Sequence, residues 1–202
     1  MKIAKVIQQL IDSFEKLPGI GPKTAQRLTF YLLHVPQEQL DSFAQAVGNL
    51  KKNTKTCSIC FNVTEFDPCH ICSDPGKDKT KICVVEQPLD ILTIERADFY
   101  HGLYHVLHGV INPLANIGPE HIHIDDLLER IKSDNIDELI IATNPTMEGE
   151  ATAMYIAKQI KQSFNNHKLK ITRIGRGLPT GADIEYADEI TLNKAFEGRS
   201  EF

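Results

Sequence analysis

The sequence predicts an α/β protein that carries an N-terminal all-α module. Three features support this fold class. Apolar residues recur at helical spacing through the first 50 residues, two Cys-x-x-Cys pairs follow, and continuous apolar runs then alternate with helical patterns. Continuous apolar runs are typical of strands buried on both faces, and their alternation with helices predicts a parallel sheet flanked by helices.

The N-terminal module is predicted to contain three helices, over residues 3–14, 22–33 and 37–50. The run Leu-Pro-Gly-Ile-Gly-Pro at residues 17–22 ends the first helix, because Pro18 cannot continue a helix and the two glycines permit a tight hairpin. Pro22 suits the first turn of the second helix, where no backbone N–H is needed. The module is therefore two helices joined by a short hairpin, with a third helix after it.

The hairpin LPGIGPKTAQR has the residues needed to bind phosphate groups. Gly19 and Gly21 let main-chain N–H groups approach a phosphate without a Cβ in the way. The N-terminus of the second helix adds unpaired N–H groups, and Lys23 and Arg27 can neutralise neighbouring phosphates. Such contacts are made to the nucleic-acid backbone and not to base sequence. The hairpin is thus predicted to bind DNA as a helix-hairpin-helix; an ordinary helical hairpin is the alternative.

Charge is distributed unevenly along the chain. The whole chain carries a formal net charge of −5, yet its first 56 residues contain eight lysines and arginines against four aspartates and glutamates. A basic N-terminal module on an acidic body agrees with a nucleic-acid interface in the hairpin. The alternative is chance clustering of charge on solvated faces.

The N-terminal segment does not have the composition of a targeting sequence. It alternates charged and apolar residues without an uninterrupted apolar stretch, so we do not interpret it as a signal peptide. No segment approaches the ~20 consecutive apolar residues that cross a bilayer. We expect a cytoplasmic protein without a membrane partner.

Four cysteines form two Cys-x-x-Cys pairs in the run CSICFNVTEFDPCHIC. Each pair places two thiolates on one tight turn, and two facing turns complete the tetrahedron that Zn²⁺ prefers. Two disulfides are the alternative, but a reducing cytosol favours one structural zinc per chain. The predicted ligands are Cys57, Cys60, Cys69 and Cys72. A polar linker over residues 73–81 is expected to follow this knuckle.

The remainder of the chain is predicted to form the parallel sheet. Strands are expected over residues 82–85, 138–142 and 170–174, and helices over residues 88–97, 124–131 and 149–164. A strand turn and a last helix are expected over residues 186–196. No element is predicted within residues 98–123, because glycines and prolines interrupt any pattern there.

Acidic residues follow two of these strands. Glu86 ends the first, and the loop Asn-Pro-Thr-Met-Glu-Gly-Glu, with Glu148 and Glu150, follows the second. Parallel sheets place ligands at the carboxyl ends of their strands, and three carboxylates there could share a divalent cation. They could equally favour the N-terminus of the helix that follows. This arrangement resembles a Toprim domain, the metal-binding fold of topoisomerases and primases.

The resemblance departs from catalytic Toprim domains at two positions. Catalytic members carry an Asp-x-Asp pair in this loop, whereas this sequence has Asn144 and Thr146. Without those two carboxylates we do not expect Mg²⁺-dependent strand cleavage or nucleotidyl transfer. The alternative function is a metal-dependent Toprim nuclease or transferase, with Glu86, Glu148 and Glu150 as its ligands.

The order helix-hairpin-helix, four-cysteine knuckle and degenerate Toprim resembles the bacterial recombination mediators of the RecR family. The matching segments are LPGIGPKTAQRL, CSICFNVTE, ICVVEQPLDI, YHVLHG, NPTMEGEATAMYI and GLPTGADIEYADEITL. The resemblance implies a DNA-binding and oligomerisation module over residues 1–54, a zinc knuckle over 55–78 and a Toprim-like domain over 79–174. A C-terminal segment, residues 175–202, would pack on the Toprim domain and enter oligomer contacts.

The family resemblance also implies a function. Such proteins bind single- and double-stranded DNA without sequence preference, form ring-like oligomers, usually tetramers, and work with RecO and in some contexts RecF. They help RecA displace single-strand-binding protein in recombinational DNA repair. We therefore expect a non-enzymatic scaffold whose acidic residues Glu86, Glu148 and Glu150 contact a partner. A pure protein adaptor, whose N-terminal module only oligomerises, is the remaining alternative.

Overall fold

The computed structural model describes residues 3–163 and 169–201. The chain divides into two compact units between Asn53 and Thr54. Within the described residues, no helix combines the length and the apolar character that crossing a membrane requires.

The N-terminal unit consists of the three predicted helices: α1 (Lys5–Glu15), α2 (Pro22–Leu32) and α3 (Gln37–Asn49). Pro22 begins α2, as expected for a residue that lacks an N–H. The interior of this unit is small, since Ile11, Ala25 and Thr29 are its buried residues. Helix α3 buries no residue at all.

The second unit begins with the knuckle. Strands β1 (Lys55–Thr56) and β2 (Val63–Thr64) form an antiparallel pair, and the short helix α4 (His70–Ser73) follows. A segment this small buries little apolar surface, so its interior consists of the cysteines, with Ile71 packed against them.

A four-stranded parallel sheet forms the centre of the second unit. Its strands are β3 (Asp78–Val85), β4 (Gly102–Val106), β5 (Glu138–Ile141) and β6 (Lys170–Arg173), arranged β4-β3-β5-β6. Strand β3 lies between two parallel neighbours, with Cys83 paired to Tyr104 and to Ile140. This arrangement confirms the predicted fold class.

Helices α5 (Pro88–Ala97), α6 (Ile124–Ser133) and α7 (Met147–Ser163) cover the two faces of the sheet. A last helix, α8 (Glu189–Glu197), follows in the C-terminal segment. Because successive strand residues point to opposite faces, β3 contributes to two cores. Ile82 and Val84 pack with residues of α6 and α7, whereas Cys83 and Val85 pack with Ile91 of α5.

Three expectations about elements are wrong. The supposed linker is strand from Asp78 onward, and a register shift separates Asp78 from Ile82 in its pairing with β4. Strand β4 was not predicted, because its sequence, GLYHV, begins with glycine and contains histidine, yet all its residues are buried. The turn near Tyr186 is a 3₁₀ helix (Ile184–Tyr186) and not a strand. The predicted end of α7 at Phe164 lies outside the described residues.

Candidate functional site

The four knuckle cysteines converge on one point. Their Sγ atoms all lie within 4.8 Å of one another, and the Sγ atoms of Cys60 and Cys69 are 3.5 Å apart. Thiolates at about 2.3 Å from a central zinc lie about 3.8 Å apart in a tetrahedron, so this spacing fits the ion. All five cysteines of the chain are free thiols, which contradicts the disulfide alternative.

The backbone of the knuckle positions these thiols. The amide of Phe61 donates to the carbonyl of Cys57 at 3.0 Å, and Phe61 has a φ of +62°, which closes the first turn. Asp67 accepts from both the amide and the hydroxyl of Ser58, at 2.8 and 2.9 Å, and so joins the two turns. The amide of Cys69 points at the Sγ of Cys57, 3.4 Å away.

The charge on the thiols also favours a cation. A hydrogen bond from Cys60, supported by one from Cys72, holds the pKa of Cys69 well below its usual value. The hydrogen bond to Cys69 raises the pKa of Cys60 to about 12, and contacts with Cys60 and Cys69 raise the pKa of Cys72 strongly. Thiolates this close together repel one another, and Zn²⁺ supplies the positive charge that allows all four to bind it as thiolates. The chain holds one structural zinc in this cluster.

The knuckle is attached to the edge of the sheet. The amide of Val106 in β4 donates to the carbonyl of Cys60 at 2.8 Å, and Nε2 of His108 donates to the carbonyl of Phe61 at 2.6 Å. The Phe61 ring stacks on His123 with a centroid distance of 3.9 Å. Sequence patterns did not reveal these contacts, because their partners lie far apart along the chain.

The helical hairpin has an open geometry. Gly19 adopts a φ of +79°, and Gly21 precedes α2 without a side-chain cap on the helix N-terminus. A Cβ at either glycine would meet nothing within 4 Å, so open space surrounds this backbone. Lys23 and Arg27 are exposed, and neither pairs with an acidic side chain in the part of the chain that the structure describes. Lys23 thus lies in the first turn of the uncapped helix, and Arg27 lies one turn further along it.

Glu86 is held by the loop after β5. Its carboxylate is 8% exposed and accepts two hydrogen bonds from Asn144, one from the amide N and one from Nδ2, both at 2.7 Å. Gly149 at the start of α7 passes so close that a Cβ there would collide with the carbonyl oxygen of Asn144 and lie 2.9 Å from Oε1 of Glu86. Glycine at this position is required by the close approach of the two chain segments.

Glu150 is paired with two arginines. Arg173 at the end of β6 and Arg176 just beyond it bind the two carboxylate oxygens at 2.8 and 2.6 Å. Partial burial alone would raise the pKa of Glu150, but the hydrogen bond and charge of Arg173, together with Arg176, hold that pKa below its usual value. Neither arginine was predicted from the sequence as a site residue, although the position of Arg173 at a strand end was a usable signal.

Glu148 differs from the other two carboxylates. It is half-exposed, and among the described residues its carboxylate has no hydrogen-bond or ion-pair partner. The structure therefore brings Glu86 and Glu150 to the same end of the sheet, each with its own partner, and leaves Glu148 free at the N-terminus of α7.

Four family models match consecutive parts of the chain. They are the RecR helix-hairpin-helix over residues 7–50, the RecR four-cysteine zinc finger domain over 54–74, a Toprim domain over 80–175 and the RecR C-terminal model over 177–200. Their order is the one that the sequence motifs predicted, and the zinc finger model coincides with the thiol cluster. The chain belongs to the RecR family, whose domains support DNA binding and a role in recombinational repair.

Proposed function

We propose that this chain is a recombination mediator that binds DNA and works with RecO, and in some contexts RecF, to load RecA on DNA covered by single-strand-binding protein. In this proposal residues 1–54 bind DNA and oligomerise, residues 55–78 form the zinc knuckle, and residues 79–174 carry the partner surface. Residues 175–202 pack on that domain and enter oligomer contacts. The protein acts in the cytoplasm as a scaffold without catalytic activity of its own.

The open hairpin is the observation that carries this proposal. Lys23 and Arg27 lie four residues apart on α2, so their side chains share one helix face. That face adjoins the uncapped N–H groups at the start of α2, which favour an anion. Every one of these groups contacts phosphate and none reads a base, so binding is expected to be independent of sequence.

A salt titration tests the hairpin. Replacing Lys23 and Arg27 with alanine should weaken binding to single- and double-stranded DNA alike. Each phosphate contact that is lost reduces the number of counterions released when the protein binds. The slope of log K against log salt should fall by roughly 0.7 to 0.9 for each residue. The matched control is Lys51→Ala with Lys52→Ala, which removes the same charge from two exposed lysines after α3.

The two variants separate the alternatives. A smaller slope in the hairpin variant alone supports DNA binding at this face. An unchanged slope in a folded hairpin variant would assign Lys23 and Arg27 to structure and not to DNA binding, and equal losses in both variants would mean that binding follows net charge. A wild type that binds no DNA would favour the adaptor alternative.

The acidic end of the sheet is the proposed partner surface. Glu148 offers a free carboxylate, and the exposed side chains Met147 and Met154 lie on the same helix, 88% and 72% accessible. Apolar area beside a charge is typical of protein interfaces, in which methionine is enriched. RecO is the proposed occupant, with a basic surface opposite Glu148.

Self-association is proposed to use both ends of the chain. Helix α3 exposes Phe43, Val47 and, just beyond its end, Leu50, at spacings that place them on one face. The C-terminal segment likewise exposes Ile190 and Phe196. Apolar faces of this kind are usually buried in a complex, and here they fit the ring-like tetramer that the family resemblance implies.

A further inference from the structure

The acidic end of the sheet does not fit the divalent cation that a Toprim domain implies. Two of its three carboxylates already have partners within the chain, and the loop between them has Asn144 and Thr146 in place of aspartates. We propose that Arg173 and Asn144 take the place of that cation, so that this site is assembled without a divalent metal.

Arg173 collects the oxygen atoms that would suit a hard cation. Its Nη1 donates to the carbonyl of Ile141 at 2.7 Å, and its Nη2 donates to the carbonyl of Thr143 at 2.6 Å and to Glu150 at 2.8 Å. Divalent cations such as Mg²⁺ and Ca²⁺ use the same ligands, carboxylates and backbone carbonyls. Here one guanidinium, which is always charged, joins the end of β5 to the start of α7.

Asn144 performs the equivalent task for Glu86. In a site that shares a metal, two neighbouring carboxylates tolerate each other only because the cation lies between them. Asn144 instead donates its Nδ2 hydrogen to Oε2 of Glu86 at 2.7 Å, and its backbone amide donates to Oε1 at the same distance. Both oxygens of this buried carboxylate are therefore satisfied by one residue.

Charge balance makes a metal unnecessary. Arg173 and Arg176 both bind Glu150, so the guanidinium groups carry the positive charge that a divalent cation would bring. Arg176 belongs to the C-terminal segment, and Gly177 beside it packs against the backbone of Ala195 in α8, where a Cβ would lie 3.1 Å from the Cα. The ion pair between Arg176 and Glu150 therefore also joins the C-terminal segment to α7. A metal ion bound by the carboxylates alone would not make this connection.

The test is Mn²⁺ binding to the whole zinc-loaded chain. Binding is measured from the electron paramagnetic resonance signal of the Mn²⁺ that remains free in solution. The wild type should take up no Mn²⁺ that depends on Glu150. The variant N144D/R173M replaces the amide with a carboxylate and removes the guanidinium, so it should bind Mn²⁺ at least about tenfold more tightly than the wild type.

Thermal unfolding gives a second readout. In the absence of Mn²⁺, the variant should have a lower Tm than the wild type, because the carboxylate introduced at position 144 would face the carboxylate of Glu86 and the two would repel. At an Mn²⁺ concentration about 100 times its Kd, linkage predicts a recovery of roughly 5–10 °C. The control variant N135D/R96M makes the same chemical changes at exposed positions away from the site and should show neither the Mn²⁺ affinity nor the recovery.

Two results would overturn the inference. One is a wild type that binds an equivalent of Mn²⁺ and loses it in a Glu150→Gln protein that circular dichroism shows to be folded. The other is a folded N144D/R173M protein that binds Mn²⁺ no better than the control. Neither readout involves DNA or RecO, so failure here leaves the proposed function to be judged on its own tests.

Discussion

Three acidic residues that look equivalent in the sequence have different environments in the structure. Glu86 is buried and receives two hydrogen bonds from Asn144, and Glu150 is held between Arg173 and Arg176. Of these three, Glu148 alone has a carboxylate with no hydrogen-bond or ion-pair partner among the described residues. Substituting Glu86 or Glu150 would therefore disturb the fold, whereas Glu148 can report on partner binding without that complication.

Glu148→Ala should weaken association with RecO by about 1 kcal/mol, or roughly fivefold in affinity, because an attractive charge at the interface is lost. Association should also become less sensitive to salt, while zinc content and Tm stay the same. Isothermal titration at two salt concentrations measures this change. Glu129→Ala removes an exposed carboxylate from α6 and is the control. Equal RecO affinity in wild type and Glu148→Ala would remove Glu148 from the interface.

At the scale of elements, the zinc knuckle is stabilised by its metal and not by an apolar core. Its buried residues are mainly the cysteines, and its attachment to the sheet includes the hydrogen bond from Val106 to Cys60. Losing the zinc should therefore unfold the knuckle and remove the segment that accepts a hydrogen bond from the edge strand β4. A small site of this kind owes its folding free energy to the bound ion.

Cys72→Ser should lower the zinc content from one per chain to nearly none and reduce folded yield. The amide of Val106 should then exchange its hydrogen faster, because its acceptor on Cys60 is no longer fixed. Elemental analysis and hydrogen exchange measure the two effects. Cys83→Ser, a change in β3 outside the knuckle, should retain its zinc. A folded, metal-free wild type would contradict the structural role of the ion.

Local patterns predicted most elements, and long-range contacts account for what was missed. Strands β5 and β6 and the helices of the N-terminal unit follow from periodicity and from proline and glycine signals. Strand β4 begins with Gly102, and its complete burial depends on β3 and the knuckle, neither of which is adjacent in sequence. Likewise, the cysteine cluster is a local motif, whereas Arg173 reaches Glu150 only through the parallel pairing of β5 and β6.

At the scale of the whole molecule, both ends of the chain expose apolar side chains. Helix α3 has no buried residue although its sequence is amphipathic, with Phe43, Val47 and Leu50 exposed. A helix keeps such a face when another surface covers it, and a second copy of the chain is the proposed cover. Association would also place several hairpins in one assembly, which raises DNA affinity through effective concentration.

Val47→Asp should reduce the oligomer to a smaller species, because it places a charge in the centre of the α3 face, where Val47 is 61% exposed in the single chain. Size-exclusion chromatography with light scattering gives the mass directly. Gln45→Asp adds the same charge on the opposite face of α3 and should leave the mass unchanged. DNA affinity should fall with the mass, while the salt slope per hairpin stays constant. A Val47→Asp protein with the wild-type mass would exclude α3 from the assembly, and a monomeric wild type would exclude the ring.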